Sequence, residues 1–160
     1  MIIYFLRHGQ AGSHSEWKGD DAERPLTKKG KESMQREAET IVQLDLRLDA
    51  IISSPLARAY QTAEIIGERL MMGDKLFQDE RLSPGFGSAE LAQIVEAYKN
   101  ADAIMVVGHE PDFGLTIGAL IGGGQVVVKK GGLARVDLLI DSPDLAGELV
   151  WLIPPKILIR

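Results

Sequence analysis

The chain opens Ile2-Ile3-Tyr4-Phe5-Leu6 and turns polar at Arg7-His8-Gly9. A short, continuous apolar run rich in β-branched and aromatic side chains reads as a strand buried on both faces. The pattern recurs twice. Asp49-Ala50-Ile51-Ile52-Ser53 is a second such run, and Ala103-Ile104-Met105-Val106-Val107 is a third, ending at Gly108-His109. Helical periods lie between them. Thr27 reads as an N-cap with Pro25 outside it, and Met34, Ala38, Ile41 and Val42 form one apolar stripe. Ser54-Pro55 reads as a cap followed by proline at the first helical position, with Leu56, Ala59, Tyr60, Ala63, Ile66 and Leu70 at helical spacing and an exit at Gly73. Strands alternating with helices give an α/β domain, a three-layer α/β/α sandwich with a largely parallel sheet.

The remainder fits that frame. Leu76-Phe77 is a brief strand, and a helix runs from Ser88 to Lys99. Another helix follows Pro111 and stops before Gly122. The final part reads as strands and turns, notably residues 133–140 and 149–153. Residues 7–24 form a long aperiodic loop, a feature usually tied to function or mobility. Trp17 within it reads either as a pocket wall or as a packed aromatic. His14 reads as a loop surface residue.

The 160 residues suit one domain, 1–160, with one core. Apolar residues make up 45% and charged residues 26%, as in ordinary globular proteins. The net charge of −5 excludes a broadly basic, nucleic-acid-coating surface but allows a small cationic pocket. The absence of cysteine excludes disulfides, thiolate metal sites and thiol nucleophiles. No apolar run approaches the ~18 residues of a spanning helix, and the start lacks a basic leader, so a cytoplasmic protein without membrane partners is expected.

Sites in such sheets form beyond the carboxyl ends of the strands. The three strand ends carry Arg7-His8-Gly9, Ser53-Ser54-Pro55 with Arg58 one turn on, and Gly108-His109. If the strands are parallel neighbours, two arginines and two histidines meet on one rim. Guanidinium forks match phosphate oxygens. A neutral imidazole is a nucleophile, and a second can stabilise charge on a phosphoryl group in transfer. This set points to phosphoryl transfer through a phosphohistidine. Gly9 would permit close backbone approach to a ligand.

Arg7-His8-Gly9 at the end of an N-terminal strand resembles the R-H-G signature of the histidine phosphatase superfamily. Pro25-Leu26-Thr27-Lys28-Lys29-Gly30 resembles the family's P-L-T-x-x-G helix start. Residues 53–63, beginning Ser53-Ser54-Pro55, resemble its S-S-P-x-x-R-A-x-Q-T-A segment, and Val106-Val107-Gly108-His109-Glu110-Pro111 its second-histidine segment. The motifs occur in the family's order. The short chain and its ending, Trp151-Leu152-Ile153-Pro154-Pro155, look most like the bacterial SixA-type phosphohistidine phosphatases.

The resemblance implies a mixed, mostly parallel, phosphoglycerate mutase-like sheet. It implies His8 as the phosphoryl-accepting nucleophile, with Arg7, Arg58 and His109 holding the phosphoryl oxygens. Arg24 is an additional candidate for substrate binding. It implies no metal and no cofactor. Larger members carry an acidic residue that protonates the leaving oxygen. Glu80 sits where such a general acid would fall, but Asp79-Glu80-Arg81 departs from the glutamate-glycine motif of the mutases. Glu110 and Asp112 read as caps of the next helix.

The leading reading is hydrolysis of phosphohistidine on a partner protein, such as a histidine phosphotransfer domain. A leaving imidazole is protonated by solvent and tolerates a site without a dedicated acid. The chain also has no long insertion between the second strand's helix and His109 to form a lid. The runner-up is a phosphatase of small phosphomonoesters, favoured if Glu80 enters the pocket. A third reading is a non-catalytic phosphate-binding module. A metal hydrolase is disfavoured because His109-Glu110 lacks a second histidine at the H-E-x-x-H spacing, where Phe113 stands. Gly122-Gly123-Gly124 and Gly131-Gly132 lack nucleotide-loop spacing and read as turns, with Lys129-Lys130 solvated beside them or facing an acidic partner.

Overall fold

The computed structural model describes residues 1–139 and 144–159. The elements are β1 (Ile2–Arg7), α1 (Lys28–Gln43), β2 (Ala50–Ser53), α2 (Ala57–Arg69), β3 (Leu76–Gln78), α3 (Ser88–Ala97), β4 (Ala103–Gly108), α4 (Asp112–Leu120), β5 (Leu133–Leu138), β6 (Gly147–Ile153) and α5 (Pro155–Leu158). They form a six-stranded sheet in the order β3-β2-β4-β1-β5-β6. The pairs β3–β2, β2–β4 and β4–β1 are parallel, whereas β5 and β6 are antiparallel additions. The sheet is therefore mixed, as expected. Ile140, expected at the end of a strand, lies outside the described residues.

Strand alternation divides the core into two layers. Ile3, Phe5, Ile52, Ile104 and Val106 face α3 and α4, where Leu91, Ile94, Phe113 and Ile117 cover them. Tyr4, Leu6, Ile51, Met105 and Val107 face the opposite side, against Met34 and Ile41 of α1, Ala63 and Ile66 of α2, and Leu158 of α5. Each fully buried Leu, Ile or Phe side chain contributes ~1.5–3 kcal/mol by leaving water. A central strand buried on both faces needs apolar residues at every position, which is why β1 and β4 carry unbroken runs.

Several local expectations are corrected. The Thr27 hydroxyl does accept the Gly30 N–H at 2.9 Å. However, Val42 is 42% exposed, and the inward position on α1 belongs to Glu37, which is 1% exposed. Helix α2 starts two residues after Pro55, because Ser54 does not cap it in the ordinary way; its hydroxyl serves the site described below. The same helix ends before Gly73, with Met71 adopting the left-handed φ of 56°. The final residues were expected as strand and turn, but Pro155 starts the short helix α5. Its Leu158 is buried, and the Thr40 hydroxyl donates to the Leu158 carbonyl at 2.6 Å. The long loop is pinned by a bridge between Ala11 and Leu26 and by a 3₁₀ turn at Asp21–Glu23.

Candidate active site

Parallel register assembles the rim. Arg7 pairs with Gly108, and Ser53 pairs with Val107, so β1, β4 and β2 end level with one another. His8 and His109 are each one residue beyond that line. The His8 N–H bonds the Gly108 carbonyl at 3.1 Å, and the two imidazole centroids lie 5.2 Å apart. Arg58 comes from the first turn of α2, the helix that follows β2.

His8 has a defined tautomer. Its Nδ1 lies 2.7 Å from the Gly9 carbonyl, which can only accept, so Nδ1 carries the hydrogen and Nε2 keeps its lone pair. Burial pushes the ring's pKa down to about 3, and His109, Arg58 and Arg7 add to this while the Gly9 bond opposes it. His8 is therefore neutral, with the lone pair of Nε2 available. Gly9 is held in turn: its N–H donates to the Thr62 hydroxyl at 3.1 Å, and that hydroxyl donates to the Arg58 carbonyl at 2.8 Å. The close approach at Gly9 is made by the protein itself, since a Cβ there would sit 2.6 Å from Met34 Cγ.

His109 is 4% exposed, and burial, with Arg58 beside it, lowers its pKa to about 4. Its Nε2 is 2.8 Å from Ser54 Oγ, which also accepts the Leu56 N–H at 3.3 Å. Ser54 is fully buried, and His109 Nε2 is the acceptor available for its hydrogen. That assignment leaves the ring proton of His109 on Nδ1, a buried atom without a partner among the described residues. It is a donor held ready for an anion.

The arginines are anchored from behind. Arg7 Nη1 donates to the Val128 carbonyl at 3.0 Å, while its Nε is buried without a partner among the described residues. Arg58 donates to the Asp21 carbonyl at 2.9 Å and to Asp21 Oδ2 at 3.1 Å. Arg24 Nε reaches Asp21 Oδ1 at 2.8 Å, and its Nη1 bonds the Gly12 carbonyl. Asp21 thus gathers two guanidiniums. Arg24, then His14, holds its carboxyl well below the usual range, so it stays anionic.

Together these side chains line a cleft of about 610 Å³ that includes Arg7, His8, Arg24, Arg58, His109 and Lys130. Gly9 lies just beneath it and does not line it. Glu80 is exposed at the start of a 3₁₀ turn, accepts from the Ser83 hydroxyl at 3.2 Å and does not line the cleft. Glu110 and Asp112 do line it, but they serve backbone amides: Glu110 accepts from Val128 at 2.6 Å and Gly114 at 3.3 Å, and Asp112 from Gly85 at 2.8 Å. Trp17 stands outside, its indole donating to the Asp20 carbonyl at 2.8 Å. Among the described residues, no three His, Asp or Glu side chains group as metal ligands.

Sequence reading did not single out Asp21, Ser54 and Thr62 as site residues, and it left Lys130 and His14 to solvent. The 3₁₀ turn is the only local signal for Asp21. Ser54 and Thr62 lie inside the 53–63 motif, but what they bond becomes visible only once β1, β2 and β4 are adjacent.

The arrangement has known counterparts. An uncharacterized protein of Picosynechococcus sp. is 34% identical, with 98% of each chain covered. The phosphohistidine phosphatase SixA of Escherichia coli is 25% identical over 77% of this chain and 76% of that one. The solved structure of the protein histidine phosphatase SixA with tungstate superposes with a TM-score of 0.86 at 23% identity, covering 99% of both chains, and so shares the fold. The Histidine phosphatase superfamily (branch 1) profile matches residues 3–102. With the motifs in order and that match spanning more than half its length, the chain belongs to the histidine phosphatase superfamily, branch 1.

Proposed function

We propose that the protein is a phosphatase that works through a phospho-His8 intermediate and removes phosphoryl groups from histidine on a partner protein. The observation that carries the first part is the His8 ring itself, with Nδ1 tied to Gly9 and neutral Nε2 unspent beside Arg7, Arg58 and the donor Nδ1 of His109. Nε2 attacks phosphorus in line. The guanidiniums and His109 take the charge on the equatorial oxygens, where losing one placed donor typically costs about 10²–10³ in rate. Water then hydrolyses the P–N bond and returns the electron pair to His8.

Two features favour a phosphohistidine substrate. The two carboxyl groups lining the cleft, Glu110 and Asp112, both hold backbone amides, and Glu80 lies elsewhere. A P–N bond, whose leaving imidazole is protonated by solvent, has the least need of one. Between α2 and β4 the chain contributes only β3, two short turns and α3, with no inserted helical lid. The cleft therefore admits a side chain displayed on another protein. The SixA relative is a phosphohistidine phosphatase by name, which points the same way.

The test compares chemically phosphorylated histidine with a panel of phosphomonoesters, using His8→Ala as the blank. The expected result is rapid, His8-dependent loss of the P–N phosphoryl group with slow monoester turnover. Faster monoester turnover would assign the protein to small-molecule phosphatases instead.

A further inference from the structure

We infer that His14, paired with Asp21, is the proton-transfer residue of this site. The inference rests on the phospho-His8 reading above. In a double displacement, water enters through the position the leaving group has vacated, so one group there can protonate the first and deprotonate the second. Both carboxylates that line the cleft are turned to backbone amides, Glu110 through both oxygens to Val128 and Gly114 and Asp112 through Oδ2 to Gly85. Lys130 lines the cleft as a cation. His8 and His109 are spent as nucleophile and anion donor.

His14 lines the same cleft on the wall made by the long loop. Its side chain is 78% exposed, which leaves it accessible to water and to a leaving group. Its Nδ1–H donates to Asp21 Oδ1 at 2.8 Å, and Nε2 makes no hydrogen bond among the described residues. A carboxylate on Nδ1 fixes the tautomer and the ring's orientation, as in the serine hydrolase triad. Asp21 also receives Arg24 at 2.8 Å and Arg58 at 3.1 Å. The dyad is thereby braced by the guanidiniums that would hold the phosphoryl group. Asp21 is a positioning residue, and His14 a catalytic one.

The proton count closes. In the first step, His8 Nε2 forms the new P–N bond while the bond from phosphorus to the leaving atom breaks. The leaving atom keeps the electron pair and takes the Nε2 proton of His14, which enters this step as the imidazolium with Nδ1–H still on Asp21. In the second step, water attacks phosphorus and gives a proton to His14 Nε2, and the P–N bond breaks with its pair returning to His8. Inorganic phosphate leaves, and His14 is again the imidazolium. With a phosphohistidine whose leaving ring is already protonated, the Nε2 proton of His14 passes to solvent before water attacks, and His14 then acts as base in the second step.

The experiment is single-turnover phosphorylation of His8, with enzyme in excess, by aryl and alkyl phosphates of rising leaving-group pKa. Decay of the isolated phosphoenzyme is followed in parallel. Wild type is compared with His14→Asn, whose amide still donates to Asp21 but lacks Nε2. The expected loss is no more than about threefold with p-nitrophenyl phosphate, growing to about 10²-fold for an alkyl phosphate, with phosphoenzyme decay slowed about 10²-fold. A loss constant across the series, or unaltered decay, would overturn the role. If wild type itself never labels His8, the phosphatase reading falls and this inference with it.

Discussion

The Nδ1–H of His8 is committed to the Gly9 carbonyl, and the Gly9 N–H is committed to Thr62. These two bonds orient the His8 ring. Thr62→Val keeps the side chain's shape and removes the acceptor, leaving a buried N–H unpaired at ~1–3 kcal/mol. Urea unfolding should show that loss together with slower His8 phosphorylation, and a variant as stable and as fast as wild type would contradict it. The imidazoles also set the acid limb of stability. His8 and His109 titrate at about 3 and about 4 in the fold, against 6.5 ordinarily. As pH falls through that window, the unfolded chain takes up protons that the folded chain refuses, so stability falls. The melting temperature should drop from pH 7 to pH 4, and His8→Asn should shrink the drop. An equal drop in the variant would contradict the assignment. At this scale the meeting of Arg7, His8, Arg58 and His109 in one cleft was legible from their places at or just beyond strand ends. Asp21 was not, because its role depends on Arg58, 37 positions away in the chain.

Three elements meet behind His8. β1 and β4 run parallel with Arg7 opposite Gly108, while the turn before β5 returns to bond β1, its Gly131 N–H lying 3.1 Å from the Arg7 carbonyl and 3.2 Å from that of His8. Gly131 has φ 79°, and a Cβ there would sit 2.5 Å from Glu37 Oε2, so α1 presses a carboxyl directly against this turn. Burial pushes the Glu37 pKa from 4.5 up to about 8. Above pH 4.5 the unfolded chain releases this proton while the folded chain keeps it, so stability falls as pH rises towards about 8. Glu37→Gln removes that penalty. Its melting temperature should rise relative to wild type between pH 5 and pH 8, and a pH-independent difference would contradict the burial argument. The helix α1 was legible from Thr27, Met34, Ala38 and Ile41. Glu37 was not, since a carboxylate at helical spacing reads as solvated until a neighbour buries it. The expectation for Ser54-Pro55 failed for a related reason. The serine is drawn from capping α2 by His109, a residue brought beside it only by β2–β4 pairing.

The whole molecule is a two-sided sheet with an open cleft at the rim where β1, β2 and β4 end. The three runs around Leu6, Ile52 and Val106 sufficed to state the parallel core; the family resemblance implied a mixed sheet, but that β5 and β6 are its antiparallel strands came only with the structure. Helix α5 escaped notice because four residues are too few for a helical period, and its stability comes from Leu158 in the core. Among the described residues, no helix is long and apolar enough to cross a membrane. An open cleft and a neutral His8 support the proposed function, and phosphorylation of His8 can be observed directly. The purified protein is quenched in alkali during turnover of a phosphorylated substrate, and the phosphoryl group is mapped by mass spectrometry. The account predicts an acid-labile phosphoryl group on His8, close to stoichiometric early in the reaction and absent from His8→Ala. A phosphoryl group on another residue, or undiminished turnover by His8→Ala, would contradict it.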